Sequence, residues 1–181
     1  MAALMAALQF LVGATFRALA LLFVLRFLLY AVRAEFHNPV SQFVYRLSNP
    51  VVSPLRRIIP NVGGFEIASL LVILAIEALA ITALAALEGA RLAPNDIVLG
   101  AVVGTLVSII GFLCVVLIVN ALLSWVPNAG GHPGARLLNQ ISVPVLKPIR
   151  SFVPLIQGFD LSPLIAIIAL QTILVALSQI A

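Results

Sequence analysis

Four stretches of this chain are long and apolar enough to cross a lipid bilayer, and that limits the fold more than any motif does. A spanning helix needs about 20 mainly apolar residues. The stretches run from about residue 4 to 32, 67 to 87, 97 to 126 and 161 to 180. Arg17 and Arg26 interrupt the first and Glu77 the second, while the other two carry no formal charge. Over the 181 residues, 63% are hydrophobic and 9% charged, against roughly 25% charged in a soluble domain. One core surrounded by water has no room for that much apolar surface, so the expected fold is an all-α membrane protein with four transmembrane helices. A single cysteine excludes a disulfide scaffold, and the low charge excludes intrinsic disorder.

Ten Lys/Arg against six Asp/Glu give a net charge of +4. The basic residues are scattered between apolar stretches with no run of five or six, which suits anchoring at a membrane surface and not a nucleic acid. No positive residue precedes the first apolar run, and the run continues past Arg17, so a retained span is expected in place of a cleaved signal peptide.

The connection EGARLAPND between the second and third stretches is tight, whereas those near residues 33–66 and 127–160 are long and proline-rich. With four spans, both long connections lie on one side. They hold Arg33, Arg46, Arg56, Arg57, Arg136, Lys147 and Arg150, and the opposite side has only Arg91 outside the spans. The positive-inside rule places the long connections in the cytoplasm and both termini outside.

Sliding the chain against itself by 94 residues aligns SNPVVSPLRRIIPNVGGFE with SVPVLKPIRSFVPLIQGFD without a gap. Identical pairs include Ser48/Ser142, Pro50/Pro144, Pro54/Pro148, Arg56/Arg150, Pro60/Pro154, Gly64/Gly158 and Phe65/Phe159, with Glu66/Asp160 conservative. Shared apolar composition does not explain matches at proline, arginine and glycine. The chain therefore reads as tandem copies of one unit, residues 1–90 and 97–181, with a connector at 91–96. Each copy crosses twice, so the two share a topology and are expected to be related by a pseudo-twofold axis along the membrane normal.

The same offset pairs Asn38-Pro39 with His132-Pro133, a cap followed by a first-turn proline. An amphipathic interfacial segment is expected over about 38–60 and again over 132–154. Val40, Phe43, Val44 and Leu47 form its apolar stripe, echoed by Leu137, Leu138 and Ile141. Pro50, Pro54 and Pro60 should then allow only short helical turns. Arg56, Arg57 and Arg150 are expected among lipid phosphates, where each basic residue contributes about 1 kcal/mol. Gly64 and Gly158 read as the turns from which the second and fourth spans rise, leaving Glu66 and Asp160 at favourable helix N-termini.

The segments RAEFHNPVSQFVYRLSNPVVSPLRRIIPNVGGFE and LLSWVPNAGGHPGARLLNQISVPVLKPIRSFVPLIQGFDLSP resemble the YggT family, called YlmG in other bacteria and plastids. The resemblance covers both copies. Ser151 stands in the second copy where the first has Arg57, so a double arginine is not a shared requirement. The resemblance implies a small inner-membrane protein. Relatives have been connected with osmotic tolerance and ion uptake, with division and nucleoid organisation, and in plastids with maturation of a membrane cytochrome complex. No catalytic set is implied.

An ionisable group deep in a span needs a partner. By helical rise Glu77 lies about 15 Å into its span, Arg26 about 9 Å and Arg17 about 22 Å from the same side. Arg26 or Arg17 is therefore expected to pair with Glu77, and at the repeat offset Asn120 and Gln171 are expected to form the neutral counterpart. Gly100, Gly104 and Ser108 make a small-residue face on the third span, expected to pack internally. Tyr30 and Trp125 read as interfacial anchors. His37 and His132 fall at non-equivalent positions without a metal-ligand cluster, Cys114 reads as a packing residue, and no nucleotide-binding loop or nucleophilic triad is present.

The expected function is that of a non-enzymatic assembly or organising factor without cofactor. Its basic segments, carrying Arg46, Arg56, Arg57, Arg136, Lys147 and Arg150, would hold anionic lipid headgroups and a partner protein. A homo-oligomer is compatible with the sequence. An ion or osmolyte channel, transporter or transport accessory is the alternative, motivated by Arg17, Arg26 and Glu77.

Overall fold

The computed structural model describes residues 2–126, 129–153 and 160–180. Its elements are α1 (Ala2–Ala31), α2 (Pro39–Arg56), α3 (Ile67–Glu88), α4 (Pro94–Leu123), α5 (Pro133–Arg150) and α6 (Ser162–Leu177), with a 3-10 turn at Ala129–Gly131 before α5. Each copy thus runs long apolar helix, amphipathic helix, apolar helix. Helices α1, α3 and α4 are long and apolar enough to cross a membrane, whereas α6 is apolar but only 16 residues long. The third span ends at Leu123 and not at 126, because the chain turns at Ser124 to Val126.

Local chemistry explains the element ends. The Asn38 carboxamide oxygen accepts from the Val40 N–H at 2.9 Å, and Pro39 occupies the first turn of α2, where its missing N–H has no helical partner to lose. After α1, Arg33 adopts φ 52° and the Ala34 N–H reaches back to the Leu29 carbonyl, closing the helix in a left-handed cap. Gly89, at φ 71°, closes α3 the same way through the bond from Ala90 N–H to the Ala85 carbonyl. Asp96 then accepts from the Ala93 N–H at the start of α4.

The expectation of broken turns after Leu47 is corrected: α2 and α5 are each one 18-residue helix running through Pro50 and Pro54, or Pro144 and Pro148. Each proline pair is spaced by four and exposed, so the carbonyls that lose a helical N–H partner lie along one open flank. Polar surroundings there can supply the missing hydrogen bonds. Pro60 follows the helix in exposed, irregular chain. The expectations at Pro154, Gly158 and Phe159 lie outside the described residues.

Helix α2 has three faces. Ser41, Val44, Ser48 and Val52 recur every three or four residues and are buried against the spans. Ser48 turns its hydroxyl back to the Val44 carbonyl at 2.6 Å, and Ser142 does the same to Leu138 at 2.7 Å in α5. A second flank holds Val40, Phe43, Leu47 and Val51, which are apolar and exposed. The third holds Gln42, Arg46, Asn49 and Ser53. The expected stripe therefore divides: Val44 faces the protein, while Val40, Phe43 and Leu47 face outward.

In α5 the corresponding flank is covered. Leu137 and Ile141 are 3% and 2% exposed, where their counterparts Phe43 and Leu47 are 61% and 50% exposed. They join the main core with Phe27, Leu28, Ala34, Val44 and Ile73. Asn38 Nδ2 also donates to the Pro133 carbonyl at 2.8 Å, tying the starts of the two amphipathic helices together. The copies share a sequence pattern but not an environment.

The core lies at the end of the bundle where α2 and α5 sit. The buried residues of α1 fall between Ala20 and Leu29, and those of α3 between Ala68 and Ile73. Toward the other end the long helices present leucine, isoleucine, valine and phenylalanine outward, including Leu4, Phe10, Leu79 and Val98. Helices apolar on every side suit a lipid surround.

Candidate functional site

The most deeply buried charges form one cluster where α1, α2 and α3 meet, and the chain aims them there through a short turn. Gly63 and Gly64 adopt φ 61° and 86°, backbone that favours glycine, and let Val62 and Phe65 exchange two backbone hydrogen bonds of 3.3 and 2.9 Å. Phe65 stacks on Phe27 with ring centroids 5.8 Å apart. The next residue, Glu66, is delivered as the N-cap of α3 directly against Arg26 of α1.

Arg26 is fully buried, and its guanidinium spends its donors on defined partners. Nε and Nη2 reach the two Glu66 carboxylate oxygens at 2.7 and 2.9 Å in a bidentate fork. Nη1 donates to Ser48 Oγ and Asn49 Oδ1, both at 2.8 Å, which ties α2 into the pair. The Tyr45 ring lies 5.0 Å from the guanidinium carbon. Glu66 also accepts from Ser69 and is approached by Arg56 Nε at 3.4 Å. Burial acts to raise the Glu66 carboxyl, but hydrogen bonds from Arg26 and Ser69 and the charges of Arg26 and Arg56 prevail, holding it below the ordinary carboxylate range.

The second copy keeps only the outer part of this arrangement. Arg150 pairs with Asp160 at 2.8 Å, as Arg56 approaches Glu66, and Asp160 accepts from the Ser162 N–H at 2.9 Å to cap α6. Burial acts to raise Asp160, yet its bonds to Ser162 and Arg150 hold it low. Asn120 replaces Arg26, so among the described residues the buried cation belongs to the first copy.

The structure thus corrects the pairing expected for Glu77. Arg26 lies about 7–8 Å below the end of α1, and its long side chain extends toward the shallower, more polar end, where Ser48, Asn49 and Glu66 wait. Glu77 instead accepts from Ser108 Oγ of α4 at 2.6 Å. Arg17 is exposed and makes no ion pair among the described residues; it lines, with Glu77, a crevice of about 510 Å³ between α1, α3 and α4. Asn120 and Gln171 do not bond to each other: no side-chain hydrogen bond involves either among the described residues, and Gln171 points outward. The small-residue face behaves as expected. A Cβ on Gly100 would meet Ile81 at 2.9 Å, and one on Gly104 would meet the Glu77 carboxylate at 3.0 Å, so this face packs α4 against α3.

The surface arginines divide into two groups. Arg56 and Arg150 are half-exposed and engaged by Glu66 and Asp160. Arg46, Arg57 and Lys147 are exposed and make no ion pair among the described residues, and Arg136 donates to the Gly130 carbonyl at 3.3 Å. Sequence reasoning missed the Arg–carboxylate pairs, although the signal was present: a cation and an anion ten residues apart are retained together in both copies. Tyr30 proves more than a depth anchor, since its hydroxyl accepts from Asn61 at 2.7 Å and its ring lies 5.7 Å from the Arg56 guanidinium. Trp125 is 74% exposed at the end of α4. His37 is exposed, His132 caps α5 without a side-chain bond, and no group of three metal-ligating side chains occurs among the described residues.

Comparison with known proteins follows the same duplication. The CCB3/YggT family pattern matches residues 5–87 and again residues 99–181, so the second match begins at the offset that aligns the two copies. A protein of Pseudomonas aeruginosa is 37% identical over 157 residues, covering 84% of this chain and 79% of its own length. The Escherichia coli K12 protein named "Uncharacterized protein YggT" is 33% identical over 174 residues, covering 96% of this chain and 90% of its own. A Guillardia theta protein named "Uncharacterized protein ycf19" is 38% identical over 78 residues, 85% of its length but 40% of this chain, as a relative built from one copy would be. No solved structure matches.

Proposed function

The chain belongs to the CCB3/YggT family, and on that premise we propose that it is a non-enzymatic organising factor of the inner membrane. It holds anionic lipid and a partner protein on two basic amphipathic helices. The observation carrying this reading is where the chain invests its buried charge: Arg26 and Glu66 join α1, α2 and α3 at one point, and Arg26 reaches Ser48 and Asn49 to hold α2 in a fixed orientation. A helix so held, with an apolar flank at Phe43 and Leu47 and a polar flank at Gln42, Arg46 and Asn49, suits lying in the headgroup layer. In this reading α6 makes the fourth crossing, the amphipathic helices face the cytoplasm and both termini lie outside. A reporter at the C-terminus that is active only in the cytoplasm contradicts that orientation.

The cluster also changes which residues test the idea. Arg56 and Arg150 hold carboxylates, so reversing their charge would disturb the fold as well as the surface. Arg57, Arg136 and Lys147 are the better choice. Replacing all three by glutamate should leave insertion and the thermal midpoint near wild type. Co-purified anionic lipid and in-cell photocrosslinks from α2 and α5 should fall together. Unchanged lipid and unchanged crosslinks would contradict the reading.

One observation favours a second reading, a transport role. Glu77 and Arg17 line a crevice within the spans with glycines at 13, 104 and 111. Flux into liposomes holding only the purified protein, abolished by Glu77→Gln without loss of folded protein, would move the assignment there.

A further inference from the structure

We propose that the first copy alone carries a discrete pocket for the phosphate headgroup of an anionic glycerophospholipid, formed by the end of α1, the loop after it and the polar flank of α2. The pocket, of about 470 Å³, is lined by Tyr30, Phe36, Gln42, Tyr45, Arg46, Asn49 and Arg56, and small-molecule sites are commonly about 300–1,000 Å³. This deepens the reading of the amphipathic helices as headgroup-binding surfaces and rests on it.

The walls are built. Phe36 and Tyr45 stack with centroids 5.5 Å apart, and Tyr45 also lies against the buried Arg26. Tyr30 is fixed by Asn61 on one side and by the Arg56 guanidinium on its face. Asn49 gives its carbonyl oxygen to Arg26, so its amide N–H groups remain for a ligand. Gln42 donates to the Phe36 carbonyl at 3.2 Å, which leaves its oxygen to accept from a hydroxyl.

Charge selects an anion. Both charged lining residues, Arg46 and Arg56, are cationic, and the nearby carboxylate, Glu66, is held mainly by the Arg26 fork and meets Arg56 through one longer contact of 3.4 Å, so it does not cancel both guanidinium charges. A phosphate diester offers the acceptor oxygens that two guanidinium groups match. The aromatic and amide walls suit the hydroxyls of a glycerol headgroup.

Position selects a lipid over a free phosphate. The same helix that supplies Arg46 and Asn49 carries Val40, Phe43, Leu47 and Val51 on its adjoining flank, exposed and apolar. A headgroup seated in the pocket has acyl chains with somewhere to lie.

The second copy lacks the site. At the repeat offset Tyr30, Phe36 and Tyr45 become Ser124, Gly130 and Asn139, and Asn49 becomes Val143, so the aromatic walls and the amide are gone; Arg56 is retained as Arg150, while Gln42 and Arg46 exchange character, becoming Arg136 and Gln140. One tight headgroup per chain is therefore expected, and not two.

Native mass spectrometry of the detergent-purified full chain, titrated with phosphatidylglycerol, phosphatidylcholine or inorganic phosphate, tests this. The wild type should retain one phosphatidylglycerol in preference to phosphatidylcholine. Arg46→Gln, at an exposed position, should weaken that binding about tenfold with an unchanged thermal midpoint. Arg136→Gln and Lys147→Gln lie outside the pocket and should leave this one tight lipid in place, lowering only the looser lipid held along α5. Equal weakening by variants in both helices means diffuse surface attraction, and overturns the pocket while leaving the organising role standing. Displacement of the lipid by millimolar phosphate overturns the choice of ligand. No preference for phosphatidylglycerol over phosphatidylcholine overturns both.

Discussion

Glu66→Ala should lower the stability of the folded chain by about 3–5 kcal/mol, because it leaves the fully buried Arg26 guanidinium without a counter-charge. The two partners are not equivalent. Removing Arg26 leaves Glu66 with Arg56 and Ser69, whereas removing Glu66 leaves Arg26 with neutral partners alone, Ser48, Asn49 and the Tyr45 ring. Arg26→Met should therefore be the milder single change. Replacing both residues with methionine should recover much of the loss, since a buried pair exchanged for apolar residues of similar volume is often near neutral. Denaturant titration in mixed micelles of wild type, Glu66→Met, Arg26→Met and the double methionine variant gives all four corners of the cycle. If the double variant is as unstable as the sum of the singles, the two side chains are not coupled and the geometry is wrong. The pH dependence follows in sign: the Glu66 carboxyl is held below its ordinary value, so the stabilisation is complete at neutral pH. It is lost only as pH falls through that lowered value.

The second large effect is expected at Gly104. A Cβ there would sit 3.0 Å from one Glu77 oxygen and 3.3 Å from the carboxyl carbon, so the larger side chain of Gly104→Val crowds the carboxylate that accepts from Ser108 and strains the α3–α4 contact. Overpacking of this kind costs about 1–3 kcal/mol. Gly111→Ala, where a Cβ meets nothing within 4 Å, is the control and should leave stability unchanged or raised. If the two substitutions behave alike, helix propensity and not the α3–α4 contact governs the response.

Local features of the fold were legible in the sequence wherever one residue type has one backbone use. Asn38-Pro39 announced the start of α2, and the repeated glycine before an aromatic residue announced the turn into α3. The prolines misled because their effect depends on where the orphaned carbonyls point. Pro50 and Pro54 lie on an open flank, so α2 continues through them. Depth counting along the helices correctly identified Arg26 and Glu77 as needing partners but paired them wrongly. Rise per residue locates the Cα, while a guanidinium acts several ångströms away, and the turn that brings Glu66 over Arg26 is a tertiary feature. The small-residue face was legible because close helix approach leaves few choices of side chain. The unequal burial of Leu137 and Phe43 was not, because equivalent positions in two copies carry no information on which copy covers the other.

The central claim is that the buried charge of this chain fixes an interfacial helix and does not form a path across the membrane. Hydrogen exchange of the α2 amides in lipid nanodiscs tests it most directly, comparing wild type with Glu66→Gln and Glu77→Gln. Loss of protection in α2 is expected for Glu66→Gln alone, with α2 in the Glu77→Gln chain exchanging as in wild type. Equal α2 protection in all three chains would contradict the claim.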